Sequence, residues 1–122
     1  GQMQIADLSS DIQAAKSDLR AVIALNTAKG FLRLAFVHAP SQCPTTLILH
    51  LRHPVRAAAD RTVNLARNGN HTCEYNAPIM LDPKVSWQLS LASQDGTWRL
   101  SGVWQKHKDS AVLVSKMGYI HG

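Results

Sequence analysis

The stretch Trp87-Gln-Leu-Ser-Leu-Ala-Ser-Gln-Asp-Gly-Thr-Trp-Arg-Leu-Ser-Gly-Val-Trp104 decides how the rest of the chain is read. It holds all three tryptophans of a 122-residue protein in which aromatic residues make up only 6%. Asp95-Gly96 lies between alternating apolar residues. That is the strongest short-range hairpin signal, because a type I′ turn needs positive φ at both central residues. Counting outward from Asp95 and Gly96 sets the register: Ser93 faces Trp98, Leu91 faces Leu100, Leu89 faces Gly102 and Trp87 faces Trp104. Side chains alternate between the faces of a sheet. One face therefore carries Trp87, Leu89, Leu91, Trp98, Leu100 and Trp104. The other carries Gln88, Ser90, Ala92, Arg99, Ser101 and Val103. A one-residue slip would destroy this agreement between the strands. The tryptophans are thus expected in the core. A stacking platform would interleave aromatics with Arg or Lys on one face, whereas Arg99 points away from them. Gly102 leaves a gap opposite Leu89 for a ring from a facing layer.

Upstream, period-two segments recur between turn signals. FLRLAFV (31–37) alternates around Leu32, Leu34 and Phe36, or around Phe31, Arg33 and Ala35. A loop with two prolines, His38 to Pro44, leads to TTLILHLRH (45–53). There Leu47, Leu49 and Leu51 oppose Ile48, His50 and Arg52, and Pro54 stops the strand. RTVNLAR (61–67) follows. Asn68-Gly69 is a second hairpin signal, answered by residues 70–75. Residues 111–117 form a possible last strand. The first part of the chain reads differently. Ile5, Leu8, Ile12, Ala15, Leu19 and Val22 recur at spacings of three and four, which predicts a helix over about 4–27 ending near Gly30. The expected architecture is a mainly β, antiparallel immunoglobulin-like sandwich of about seven strands over 30–122, preceded by an N-terminal helix within 1–29. The narrow apolar stripe of that helix suits packing on a sheet or pairing with a second helix, hence self-association.

The net charge is +5, with the basic residues scattered. No nucleic-acid motif accompanies them, so no nucleic-acid partner is expected. Diffuse positive charge fits an anionic membrane or an acidic partner equally well. No G-x-S-x-G, P-loop, G-x-G-x-x-G or H-E-x-x-H occurs, and no carboxylate pair is arranged for acid–base work. The chain is therefore expected not to be an enzyme. Asn70-His71-Thr72 matches the glycosylation sequon, a pattern that chance produces easily.

Six histidines and two cysteines remain. Neither cysteine lies in a C-x-x-C. His71 and Cys73 share a strand face, and His50 sits on a neighbouring-looking strand. His50, His71 and Cys73, with Cys43 near, are candidate ligands for copper or zinc. A Cys43–Cys73 disulfide is the competing arrangement and would remove the thiolates; the sequence leaves both open. A third possibility is a small-molecule-binding sandwich whose tryptophans line a cavity.

The segments LILHLRHPVRAAADRTVNLARNGNHTCEY and SWQLSLASQDGTWRLSGVW resemble the FixH (CcoH) family. The matching residues are His53-Pro54, Asp60-Arg61, Leu65, Trp87, Leu89, Gly96-Thr97-Trp98-Arg99-Leu100-Ser101-Gly102 and Trp104. Ile12, Asp18 and Ala21 to Leu25 fall in places comparable to the family's membrane-proximal region. The resemblance covers most of 7–104. It departs in two respects: Asp7 is followed by Leu8 and Ser9 where the family has paired tyrosines, and the tail after Lys106 is longer. The resemblance implies a soluble domain on the periplasmic side of a bacterial inner membrane, carried by a preceding transmembrane helix. It implies a role in assembling a cbb-type haem–copper oxidase, with oxidase subunits and a copper-transporting ATPase as partners, and no catalytic residues. A periplasmic setting would favour oxidation of Cys43 and Cys73. The alternative function is a copper chaperone acting through the His/Cys set.

Overall fold

A computed structural model describes residues 18–26, 28–69 and 72–115. Eight antiparallel strands follow in chain order: β1 Arg20–Asn26, β2 Phe31–His38, β3 Thr46–Arg52, β4 Arg61–Arg67, β5 Glu74–Pro78, β6 Trp87–Ser93, β7 Arg99–Trp104 and β8 Ser110–Val114. One 3₁₀ turn, Ala57–Ala59, precedes β4. The strands form a closed barrel in the order β1-β2-β5-β4-β3-β6-β7-β8. The expected open sandwich is therefore corrected. Its edges are joined at two short seams, β4 to β5 through Ala66↔Asn76 and Arg67↔Tyr75, and β7 to β8 through Ser101↔Val114. Closure removes the exposed strand edges that an open sheet presents.

Residues 20–26 are strand rather than helix. Val22 and Ile23 are β-branched, and Ala21 and Ile23 are fully buried while Arg20 and Ala24 face outward. The segment pairs on both sides, with β2 over Arg20 to Asn26 and with β8 over Arg20 to Ala24. Its apolar residues fit either period locally, and the neighbouring strands decide between them. The barrel thus takes in residues before the boundary expected at 30. Gly30 does not end a helix; its φ of +63° serves the turn between β1 and β2. The rest of the expected helix, residues 4–17, lies outside the described residues.

The hairpin register holds residue for residue, from Trp87↔Trp104 to Ala92↔Arg99. All three tryptophans are buried, each no more than 6% exposed. The turn itself differs from type I′. Gly96 has φ +75°, whereas Asp95 is not among the positive-φ residues. The Gly96 amide donates to the Ser93 carbonyl (3.0 Å) and the Ser93 amide to the Trp98 carbonyl (3.4 Å). The loop is four residues, 94–97, instead of two. Both lengths keep the same parity, so the faces are unchanged. Buried Ser93 is satisfied here: its hydroxyl donates to Asp95 Oδ1 (2.8 Å) and accepts from the Thr97 amide (3.1 Å). These hydrogen bonds, Ser93 first and then Thr97, hold the Asp95 carboxyl below its ordinary pKa.

An eight-stranded barrel is just wide enough for side chains to fill. The filling here is mostly leucine: Leu32, Leu34, Leu47, Leu49, Leu51, Leu65, Leu91, Leu100 and Leu113 are fully buried. Phe36 meets Tyr75 and Trp98 edge to face, at centroid distances of 6.1 and 5.7 Å. The second expected hairpin is longer than two residues. Gly69 has φ +75°, but Asn68 bonds across to Glu74, and β5 begins at Glu74. Continuing that register sets Pro78 opposite Asn64. Pro78 has no N–H to donate, so the β4–β5 ladder stops short.

Gly102 is filled differently from expectation. A Cβ there would lie 2.3 Å from the Val112 carbonyl oxygen and 3.2 Å from a Leu113 methyl. The gap opposite Leu89 admits the backbone of β8 instead of a ring. Gly102→Ala is expected to lower stability in urea unfolding by about 2–3 kcal/mol, because a backbone atom cannot yield as a side chain would. Gly96→Ala, with nothing within 4 Å of the added atom but a φ of +75°, is expected to cost only about 1 kcal/mol.

Candidate functional site

Cys43 precedes β3 and Cys73 precedes β5, and a disulfide joins them with Cα atoms 5.7 Å apart. Around it the loop before β3 is tied down on several sides. Arg67 donates from Nη1 to the Cys43 carbonyl (2.7 Å) and from Nε to the Gly69 carbonyl (3.0 Å). The buried Tyr75 hydroxyl donates to the Pro44 carbonyl. Burial raises the Tyr75 pKa, while the Arg67 charge opposes that rise. This corner reinforces the barrel beside the short β4–β5 seam.

The candidate metal ligands do not come together as free donors there. Cys73 has its sulfur in the bridge and offers no thiolate. His50 lies on the outer face of β3, four residues along from Thr46 and so about 13 Å up the strand. Its Nδ1 is 3.1 Å from Thr62 Oγ1. His71 lies outside the described residues. Among the described residues no group of three His, Cys, Asp or Glu is arranged to hold a metal ion.

The H-P…D-R residues form a second corner. His53 Nδ1 accepts from the amides of Val55 (3.1 Å) and Arg56 (2.9 Å), which requires the proton on Nε2. The His53 amide donates to Asp60 Oδ1 (2.8 Å). The imidazole meets the Trp87 ring edge to face at 5.4 Å. His53, Asp60 and Trp87 thus anchor the β3–β4 connection to the hairpin.

Beside Trp87 and Trp104, loops 81–85 and 105–109 enclose a cavity of about 240 Å³. This is small for a ligand site. Both indole N–H groups are used internally: Trp104 donates to the Lys108 carbonyl (2.9 Å) and Trp87, at 3.4 Å, to that of Asp82. His107 closes the rim with φ +64°, its amide donating to the Pro83 carbonyl (2.8 Å).

Long-range pairing assembles a feature that residue-by-residue reading leaves scattered. β3 pairs with β6, and β6 with β7, so Arg52, Gln88, Ser90, Ser101 and Arg99 share one outer face. A groove of about 670 Å³ runs across it. The hairpin count alone puts Ser90, Arg99 and Ser101 on one face; nothing local predicts that β3 lies beside them. No described helix is long and apolar enough to cross a membrane.

Reduction is expected to destabilise the protein through the Cys43–Cys73 loop, whose ends are 30 residues apart. Loop-closure entropy sets the loss at about 3–4 kcal/mol, read as the difference between urea unfolding curves with and without reductant.

No curated protein and no solved structure matches this chain. The FixH family matches it over residues 2–105. That span contains every residue of the His53-Pro54, Asp60-Arg61 and Trp-hairpin set, and the chain belongs to the FixH family.

Proposed function

We propose that this protein is a non-catalytic interaction domain that supports assembly of a cbb-type haem–copper oxidase. It acts on the periplasmic side of a bacterial inner membrane, carried by a transmembrane anchor. Its partners are oxidase subunits and a copper-transporting ATPase. The observation that carries this reading is the FixH family match over residues 2–105.

Two features of the residues favour contact over chemistry. The family-type residues His53, Asp60, Trp87, Trp98, Gly102 and Trp104 are occupied in packing, capping and strand crossing. The Cys43–Cys73 bridge suits an oxidising compartment and leaves no cysteine thiolate for a soft metal among the described residues. Copper supply is therefore proposed to run through the partner ATPase, with this domain holding proteins together.

The test is affinity capture of the tagged, membrane-borne protein from solubilised membranes, followed by mass spectrometry. Recovery of oxidase or copper-ATPase subunits above an untagged control is expected. Recovery of neither would overturn the reading.

A further inference from the structure

The outer wall over β1, β2 and β5 carries a groove of about 720 Å³, within the size range of small-molecule sites. Phe31 and Arg33 line it from β2. They are two residues apart, so their side chains leave the same face about 7 Å from each other. Across the strands, Phe31 lies between Asn26 of β1 and Pro78 of β5, and Arg33 lies between Ala24 and Asn76. Phe31 is 38% exposed, whereas the three tryptophans are buried. Ala24 and Ala28 keep the floor beside it low. Polar groups ring this floor with hydrogen-bonding capacity to spare. Asn76 donates from Nδ2 to Asn68 Oδ1, which leaves the Asn76 side-chain oxygen and the Asn68 side-chain N–H groups for other partners. Asn26 Oδ1 accepts from the Lys29 amide (3.1 Å) and keeps its own NH₂. The Arg33 guanidinium donates to Glu74 through Nη2 alone, and its other N–H groups are further donors.

The charges of this groove balance. Arg33 is paired with Glu74, and Lys29 shares the lining with Asp109. On a chain of net charge +5 this wall therefore has no excess of cations to draw an anion. We propose that the groove binds a neutral saccharide. A sugar hydroxyl both donates and accepts, so it calls for donors and acceptors side by side with little net charge. Three asparagine amides and an Arg–Glu pair supply that mixture. A pyranose ring also presents a face of C–H bonds, which packs on the negative face of an aromatic ring. Phe31 places such a ring beside the amides. An anionic ligand would need unbalanced cations, and a purely apolar one would leave the amides and the guanidinium without partners. This inference goes beyond the assembly reading and does not depend on it.

The experiment is an NMR titration of the isotope-labelled protein with cellobiose and with N,N′-diacetylchitobiose, each at millimolar concentration, beside inorganic phosphate as an anion. Saturable shifts are expected with at least one disaccharide. They should centre on the backbone amides of Phe31 and Arg33 and on the side-chain NH₂ groups of Asn26, Asn68 and Asn76. F31L, which keeps an apolar side chain but removes the ring, is expected to weaken binding at least fivefold. F31W is expected to bind within twofold of wild type or tighter. N76A is expected to lose at least threefold, and it carries the test if F31L fails to melt cooperatively. Absence of shifts with both disaccharides would overturn the proposal, as would shifts centred elsewhere on the barrel. Binding unchanged in F31L and N76A would overturn it too. Phosphate shifting the Lys29 and Arg33 signals at lower concentration than either disaccharide would overturn it in favour of an anion site. None of these outcomes bears on recovery of oxidase subunits from membranes, so the assembly role and the saccharide site stand or fall separately.

Discussion

The close approach of Gly102 to the Val112 carbonyl is the constraint on which the rest of the barrel depends. β8 returns to lie along β1, and it meets β7 at Ser101↔Val114 and at Gly102, whose missing side chain admits the Val112 carbonyl. A larger residue would have to displace the backbone of β8 at that crossing. Closure in turn fixes what the interior contains. The leucines of β2, β3, β4, β6, β7 and β8 meet around one axis, with Trp87 and Trp104 toward one end and the Phe36–Tyr75–Trp98 group elsewhere in the same core. The opposite seam, β4 to β5, is also short, with two register pairs. Pro78 stops its ladder, and the Cys43–Cys73 disulfide, Arg67 and Tyr75 tie the adjoining loop across it.

Much of this was legible in the sequence wherever the signal was local. Parity in the Trp hairpin gave its register and both its faces, and survived a change of turn type because loops of two and four residues keep the same phase. The leucine face of β3 was legible for the same reason. Residues 20–26 were not. Leu19, Val22 and Ile23 satisfy a helical stripe, while Ala21 and Ile23 satisfy a strand, and only β2 and β8, far along the chain, select the second. Barrel closure was hidden because it turns on one Ser101↔Val114 contact and one glycine, neither of which has a periodic signature. The start of β5 at Glu74 was missed because Asn68-Gly69 opens a loop longer than its dipeptide suggests.

The candidate site was legible in a different way. The residues that mark the family are here mostly concerned with building: His53 and Asp60 hold a turn, the tryptophans fill the core, and Gly102 permits a crossing. Residues of this kind mark the family through the fold they build. The expected metal set depended on free cysteine, and the bridge consumes it. What the sequence scattered and the fold collects is the pair Arg52 and Arg99, forty-seven positions apart along the chain by their numbers yet on one outer face.

β8 is an integral stave of the barrel, closed on β7 beside Gly102. Native-state hydrogen exchange measures this directly. In β8, the amides of Ala111 and Leu113 lie in register with Ile23 and Ala21 of β1. They are expected to exchange only with global unfolding, at the same opening free energy as Leu91 and Leu100 in the Trp hairpin. Exchange of Ala111 and Leu113 through a separate, low-energy opening while the hairpin stays protected would contradict it.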